Sequence, residues 1–341
     1  MIDLPAEPTH EEDGEPALQA LPGLPNTVRP LRFDVRLLPP DLSDWRGGNT
    51  GLPGIMQFES GRPGPHVAVT ALMHGNEIAG AIVLDALLRD RFRPIRGTLT
   101  LGFLNLAAFD RFDAAEPTAS RFVDEDMNRV WDPAILDGNR ETTELDRARA
   151  LRPLLDSVDI LLDLHSMLWP SEPLILSGPT AKGRRLAATL GTPPTVVADH
   201  GHQSGPRLID YGRFADPAAA PVACLVEAGP HWEAETVETA RIAVQSLLRT
   251  TGMIDHAPLP GPVPRIRSAR VTQVITATTA SFAFVRAFRG GDVIRQRGTL
   301  IAHDGGTEIR TPHDDCLLVM PSLRPSRGHT AVRLAQLLDH S

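Results

Sequence analysis

The stretch Val67-Ala-Val-Thr-Ala-Leu-Met-His-Gly-Asn-Glu77 constrains this chain more than any other. Val67 to Met73 is an apolar run of strand length, the pattern of a β-strand buried in a sheet. It stops at His74-Gly-Asn-Glu77. A helical pattern then begins, with Ile78, Ala79, Ala81, Ile82, Leu84, Ala86 and Leu87 on its packed side. A histidine and a glutamate three residues apart thus stand at the carboxyl end of a buried strand, where open α/β sheets place their ligands. An imidazole and a carboxylate at that spacing can share one borderline metal ion such as zinc. Gly75 lets the backbone turn sharply between them. The same four residues also fit an ordinary strand-to-helix turn, with Glu77 set against the helix dipole. A further ligand is what separates the two readings.

His165 is the strongest companion. It ends a second buried strand, Val158-Asp-Ile-Leu-Leu-Asp-Leu-His165, and Asp163, two residues back, shares its face. A carboxylate so placed can hold a ligand histidine in orientation. The plainer alternative is a satisfied core histidine beside an acid that caps a neighbouring element. Two histidines and a glutamate make the protein ligand set of a catalytic zinc, with a fourth position open to water. Other divalent ions suit the same set.

Glu227 follows the strand Val222 to Val226 and precedes Ala-Gly-Pro230. A carboxylate there is costly without a partner or a role. It can act as general base for a metal-activated water, or be an acid leading into the next helix near Glu233. The polar loop from Ala107 to Asp132 is long for a compact domain, and loops of that length are usually functional. It carries Arg121, able to polarise a scissile carbonyl. It also carries Asp126-Met-Asn-Arg129, whose Asn128 and Arg129 can clamp a carboxylate. His200-Gly-His202 reads as a loop that lines a pocket, and His231 as a surface or capping residue.

Strands alternate with helices up to about residue 255, which argues for an α/β domain over 27–255. Its start is Pro- and Gly-rich, with edge strands expected in stretches such as Leu31 to Leu37. His256 to Pro264 reads as a Pro-rich linker. Beyond it the chain is strand-like over Ala269 to Ala277, Ser281 to Phe288, Thr299 to His303 and Leu317 to Met320, with no long helical pattern before the last dozen residues. Residues 256–341 are therefore expected to be a small all-β domain. Residues 1–26 read as a poorly ordered acidic arm, lacking the basic and apolar regions of a secretory signal.

A net charge of −8 speaks against nucleic acid or an anionic membrane as the main partner. No apolar run approaches a membrane span. The two cysteines, Cys224 and Cys316, lie in apolar runs and read as buried thiols, which fits a cytoplasmic protein. A homo-oligomer stays open.

Taken in order, His74-Gly-Asn-Glu77, Arg121, Asp126-Met-Asn-Arg129, Asp163-Leu-His165 and Glu227-Ala-Gly-Pro230 resemble the succinylglutamate desuccinylase/aspartoacylase family, a branch of the zinc carboxypeptidase-like (M14) hydrolases. The resemblance covers about residues 60–255, and the β-region after 256 suits it. It implies a zinc carboxypeptidase-like α/β domain with a mixed central sheet flanked by helices, and a C-terminal β-domain that shapes the pocket. By the same resemblance His74, Glu77 and His165 match the ligands of one zinc ion per chain and Glu227 the catalytic glutamate. Arg121 matches the carbonyl-polarising arginine, and Asn128 with Arg129 the substrate-carboxylate pair. Asp163 and Asp126 would support these groups from behind. Two positions depart mildly, Met127 for the usual leucine and Ala228 for the usual valine. The family's aspartoacylases also use tyrosines and a further arginine on the substrate's acidic side chain. Tyr211, the chain's single tyrosine, and Arg213 are the candidates here, although neither Arg207 nor Arg213 falls at the family's spacing. The expected function is zinc-dependent amide hydrolysis of a small N-acyl amino acid bearing a carboxylate. The alternatives are a metallocarboxypeptidase acting on peptides and a non-catalytic small-molecule-binding relative.

Overall fold

In the computed structural model, residues 33–202, 204–255 and 265–338 are described; the expected acidic arm (1–26) and Pro-rich linker (256–264) lie outside them. Strand β1 (Ile55–Glu59) is followed by β2 (His66–Ala71), helix α1 (Ile78–Arg89) and β3 (Thr98–Phe103). Two single-turn helices, α2 (Leu106–Phe109) and α3 (Pro133–Leu136), and a 3₁₀ turn at Met127–Arg129 punctuate the long loop. Helix α4 (Thr143–Leu155), β4 (Ile160–Met167), β5 (Leu174–Leu176), α5 (Ala181–Leu190), β6 (Thr195–Ala198), β7 (Val222–Pro230) and α6 (Ala234–Thr250) complete the alternating region. Beyond residue 265 every described element is a strand: β8 (Arg267–Thr276), β9 (Ala283–Phe284), β10 (Val293–Ile294), β11 (Leu300–Asp304), β12 (Thr307–Arg310), β13 (Cys316–Val319) and β14 (Thr330–Leu337).

The central sheet is mixed and has eleven strands in the order β1-β3-β2-β4-β7-β5-β6-β8-β14-β13-β10; β12, β11 and β9 form a second sheet. β3, β2, β4 and β7 run parallel, and β5 reverses against β7. The sheet does not stop at the end of the alternating region, because β6 pairs in parallel with β8 and carries it into the C-terminal strands.

Strand alternation decides which residue faces which layer. Val67, Val69 and Ala71 of β2, Leu162 and Leu164 of β4, and Cys224 and Val226 of β7 share one core with α1, α5 and α6. Ala68, Leu161, Ala223 and Leu225 face the opposite core, built on α4 with Trp131 and Met127. Asp163, His165 and Glu227 continue this second set, so the site's side chains emerge on the α4 side. Gly80 lets α1 approach the sheet, since a β-carbon there would stand 2.9 Å from Leu164 Cβ. Among the described residues no helix is long and apolar enough to cross a membrane.

Two local expectations change. Of the Leu31 to Leu37 stretch, the described residues 33–37 form no strand, and β1 holds the edge instead, antiparallel to β3. Pro39 and Pro40, just beyond, withhold backbone donors from any ladder. At the far end, residues 330–337 are strand where the sequence admits a helix, because β14 is paired on both sides, with β8 and β13.

Candidate metal centre and substrate pocket

Three buried side chains converge where β2 and β4 end. His74 Nδ1 lies 2.7 Å from Glu77 Oε1, and His165 Nδ1 lies 3.0 Å from Glu77 Oε2. One ligand atom from each of the three residues falls within 4.8 Å of the others. The parallel pairing of β2 with β4 brings this about, setting Thr70 beside Asp163 so that the two strand ends emerge together. Gly75 carries the turn for a reason other than a positive φ. A β-carbon there would stand 2.3 Å from the Ala108 backbone and 2.6 Å from the Ser120 carbonyl, while the Gly75 N–H donates to the Arg121 carbonyl.

Each ligand candidate is held from behind. Asp163 Oδ2 takes His165 Nε2 at 2.8 Å, and Asp163 Oδ1 accepts from the Thr70 hydroxyl at 2.7 Å. Asp126 Oδ1 lies 2.9 Å from His74 Nε2. Arg121 donates to Glu77 Oε1 at 3.1 Å and to Asp126 Oδ2 at 3.2 Å. The backbone N–H of Ser166 donates to Glu77 Oε2.

The cluster fits a divalent cation on two grounds. The donor set, two imidazoles and one carboxylate, is that of a borderline metal. The spot also demands positive charge. Burial pulls the His165 imidazole down, yet Asp163 and Glu77 outweigh it and hold it well above the ordinary histidine value. Burial likewise raises Glu77, and His74 and His165 outweigh that, so its carboxyl lies well below the usual range.

Glu227 stands beside this set, paired across the ladder with His165. Its Oε2 is buried and has no hydrogen-bond partner. Burial pushes its carboxyl up to about 8; Glu77 adds to the rise, while His165 and Arg121 oppose it. An unpartnered buried carboxylate with a raised pKa is the usual condition of a general base working near neutral pH.

The surrounding pocket has a volume of about 560 Å³. Asn128 and Arg129 line it: Asn128 Oδ1 accepts from the Leu208 N–H, and Arg129 reaches Asp126 Oδ2 at 3.9 Å. Tyr211 and Arg213 are placed elsewhere. The Tyr211 hydroxyl donates to Asp156 and receives Arg152, and Arg213 donates to the Asp156 carbonyl. His231 lies in the pocket wall instead of on the surface, buried, with Nδ1 2.6 Å from the Ser166 hydroxyl. Burial holds its imidazole down at about 4. His202 lines the pocket, whereas His200 is exposed and does not line it. The pocket also takes in Arg207 and, from β14, Arg333, which no sequence pattern singled out. Three non-glycine residues with positive φ flank the site: Leu72 (+57°), Trp232 (+63°) and Met320 (+51°). Strained backbone of this kind gathers at functional sites.

A mixed α/β sheet with a buried His-Glu-His cluster at its strand ends, and an unpartnered carboxylate beside it, is the arrangement the comparisons with known proteins bear on. The chain belongs to the succinylglutamate desuccinylase/aspartoacylase family: residues 63–251 match the family's catalytic-domain model. No curated protein matches the chain. Solved structures share the fold at low identity. The succinylglutamate desuccinylase from Vibrio cholerae is 16% identical with a TM-score of 0.64, covering 84% of this chain and 86% of that one. A succinylglutamate desuccinylase/aspartoacylase from Rhodobacter sphaeroides is 21% identical with a TM-score of 0.60, covering 82% and 87%. The product-bound ectoine utilization protein EutE (DoeB) from Ruegeria pomeroyi is 16% identical with a TM-score of 0.61, covering 82% and 88%.

Proposed function

We propose that this chain is a zinc-dependent deacylase that hydrolyses the amide of a small N-acyl amino acid. The observation that supports this reading is Glu227, whose buried Oε2 has no partner while the adjacent His74, Glu77 and His165 offer a candidate ligand set. Zinc held there would supply Lewis acidity toward a carbonyl oxygen and acidify water. Glu227 takes a proton from the attacking water and returns it to the leaving nitrogen. Arg121 is held by Glu77 and Asp126 and lies 2.9 Å from His74 Nε2, and its remaining N–H donors stabilise charge on the carbonyl oxygen. Arg129 binds the substrate's carboxylate.

The test is release of primary amine from a panel of N-acyl amino acids by zinc-loaded protein, with Glu227→Gln as the blank. Release that falls by about 10² to 10⁴-fold in the variant, at unchanged zinc content, is the expected result. Turnover that survives Glu227→Gln, or a zinc-replete protein that cleaves none of the panel, would overturn the reading.

A further inference from the structure

The pocket's cationic end is unevenly paired. Arg207 is fully committed: its Nη1 and Nη2 donate to the two oxygens of Asp199 at 2.9 and 2.7 Å, and its Nε donates to Asp210 at 2.7 Å. Arg121 is committed to Glu77 and Asp126. Arg129 and Arg333 have no close carboxylate, although Arg129 Nη1 donates to the Asn128 carbonyl at 2.6 Å. Each reaches a carboxylate only at 3.9 Å, Asp126 and Asp199 respectively, and both acids are already taken by a closer arginine. Arg333 is only 7% exposed, and its buried Nε has no hydrogen-bond partner.

A buried guanidinium in that state is costly unless a ligand completes it. Burial lowers both Arg129, to about 10, and Arg333, and each arginine feels its neighbours: Arg129 is opposed by Arg333, and Arg333 by Arg207. Arg121 and Arg207 each hold a carboxylate at 3.2 Å or closer, and Glu227 acts on Arg121 and Arg333 from the same pocket. Arg129 and Arg333 are thus the two pocket arginines without a close carboxylate, and one incoming carboxylate can serve both. A second substrate carboxylate would meet no arginine left to pair it and would share the buried space with Glu227 and Asp126. Part of the wall is apolar, with Phe122, Met167, Leu168, Trp169 and Met320 lining the pocket. Trp169 is pinned there by its Nε1–H donating to Ser322 Oγ at 3.1 Å.

The geometry points to Arg333 as a specificity-determining residue that closes with Arg129 on one substrate carboxylate, so that the chain takes N-acyl amino acids whose remaining groups are uncharged and pack on the apolar wall. The assignment rests on the deacylase reading for the chemistry, but not for the binding. The C-terminal strands thereby set selectivity directly: β14 lays its arginine into a pocket whose candidate metal cluster stands at the ends of β2 and β4.

Binding and turnover separate the two claims. Calorimetry on zinc-loaded Glu227→Gln protein would compare N-acetylmethionine, its carboxamide analogue N-acetylmethioninamide, and N-acetylaspartate. The carboxylate should bind about tenfold or more tightly than the carboxamide, as a charge-assisted contact requires, and more tightly than the dicarboxylate. Adding Arg333→Met should abolish the preference for carboxylate over carboxamide, and Arg333→Lys should keep some of it while confirming a folded chain. Tighter binding of N-acetylaspartate, an undiminished carboxylate preference in Arg333→Met, or no binding of any of the three would overturn the inference. Ligands bound with the expected preference but left intact by the wild-type protein would instead overturn the deacylase reading and leave Arg333 its role.

Discussion

Glu77 and Glu227 are buried carboxylates of one pocket, and the chain treats them in opposite ways. Burial raises both; for Glu77 two histidines outweigh it, while Glu227 keeps a value of about 8 with one oxygen unpartnered. Environments that push a pair of carboxylates in opposite directions assign one to binding and the other to proton transfer. The same logic runs outward to Asp163, which ties the His165 ring to the Thr70 hydroxyl. Asp163→Asn should therefore cost about 10 to 100-fold in zinc affinity, read by competition with a chromogenic chelator, while Thr70→Val should cost less because the direct contact survives. Equal zinc affinity in wild type and Asp163→Asn would show that the ring orients itself. At this scale the sequence disclosed whatever sits at a strand end. His74, Glu77, His165 and Glu227 each follow an apolar run, and the mismatch of polar residue and buried strand is the signal. Arg333 gave no such signal, since one arginine among apolar residues in a terminal strand looks like any solvated residue until its neighbours are known. Tyr211 and Arg213 failed for the converse reason. Residues near Glu227 in sequence are not near it in space when a loop leads them toward Asp156.

Among the elements, β2, β4 and β7 were legible because parallel strands covered on both faces are apolar throughout. The C-terminal strands were less so. β9 and β10 are two residues long and carry no periodicity, and β14 pairs by tertiary context, which overrides local pattern. The turn before β9 shows what holds this region in shape. Asp304, at the end of β11, accepts hydrogen bonds from the hydroxyls and the backbone N–H groups of both Thr278 and Thr279. Those bonds, led by the Thr278 and Thr279 hydroxyls, lower its carboxyl from 3.8 to about 2. A carboxyl depressed in the folded state stabilises above its unfolded value and loses that contribution as pH falls through the folded one. Asp304→Asn should accordingly lower Tm by a few degrees at pH 7. The gap between variant and wild type should narrow between about pH 4 and pH 2, read by thermal melts across that range. A gap independent of pH would mean that the turn is held by shape alone.

Among the described residues the eleven-stranded sheet runs from the alternating region into the C-terminal strands, and that continuity has a thermodynamic consequence. β2 and β4 carry the ligand candidates at one end; β8, β14 and β13 extend the same ladder through β6, and β14 returns Arg333 to the pocket. The loop after β4 is also bound to the C-terminal region, with Gly290 accepting from the Glu172 N–H and donating to the Pro170 carbonyl. Strands that share a ladder and a pocket should open together. An ion that binds only the folded chain stabilises it by RT ln(1 + [L]/Kd), about 2.7 kcal/mol at one hundred times Kd. If the sheet is one cooperative unit, zinc should add that increment to the hydrogen-exchange protection of core amides in β8 and β14 as fully as to those in β2 and β4. The comparison is made by native-state exchange with and without the metal. Protection confined to β2, β4 and β7 would show that the C-terminal strands open independently. Arg333 would then be delivered to the pocket by a region whose own opening equilibrium limits substrate binding, and affinity for the carboxylate would fall with any substitution that loosens β8 against β6. Uniform protection would instead mean that the candidate metal cluster and Arg333 are positioned by the same folding event, so that loading zinc would also secure the arginine proposed to select the substrate.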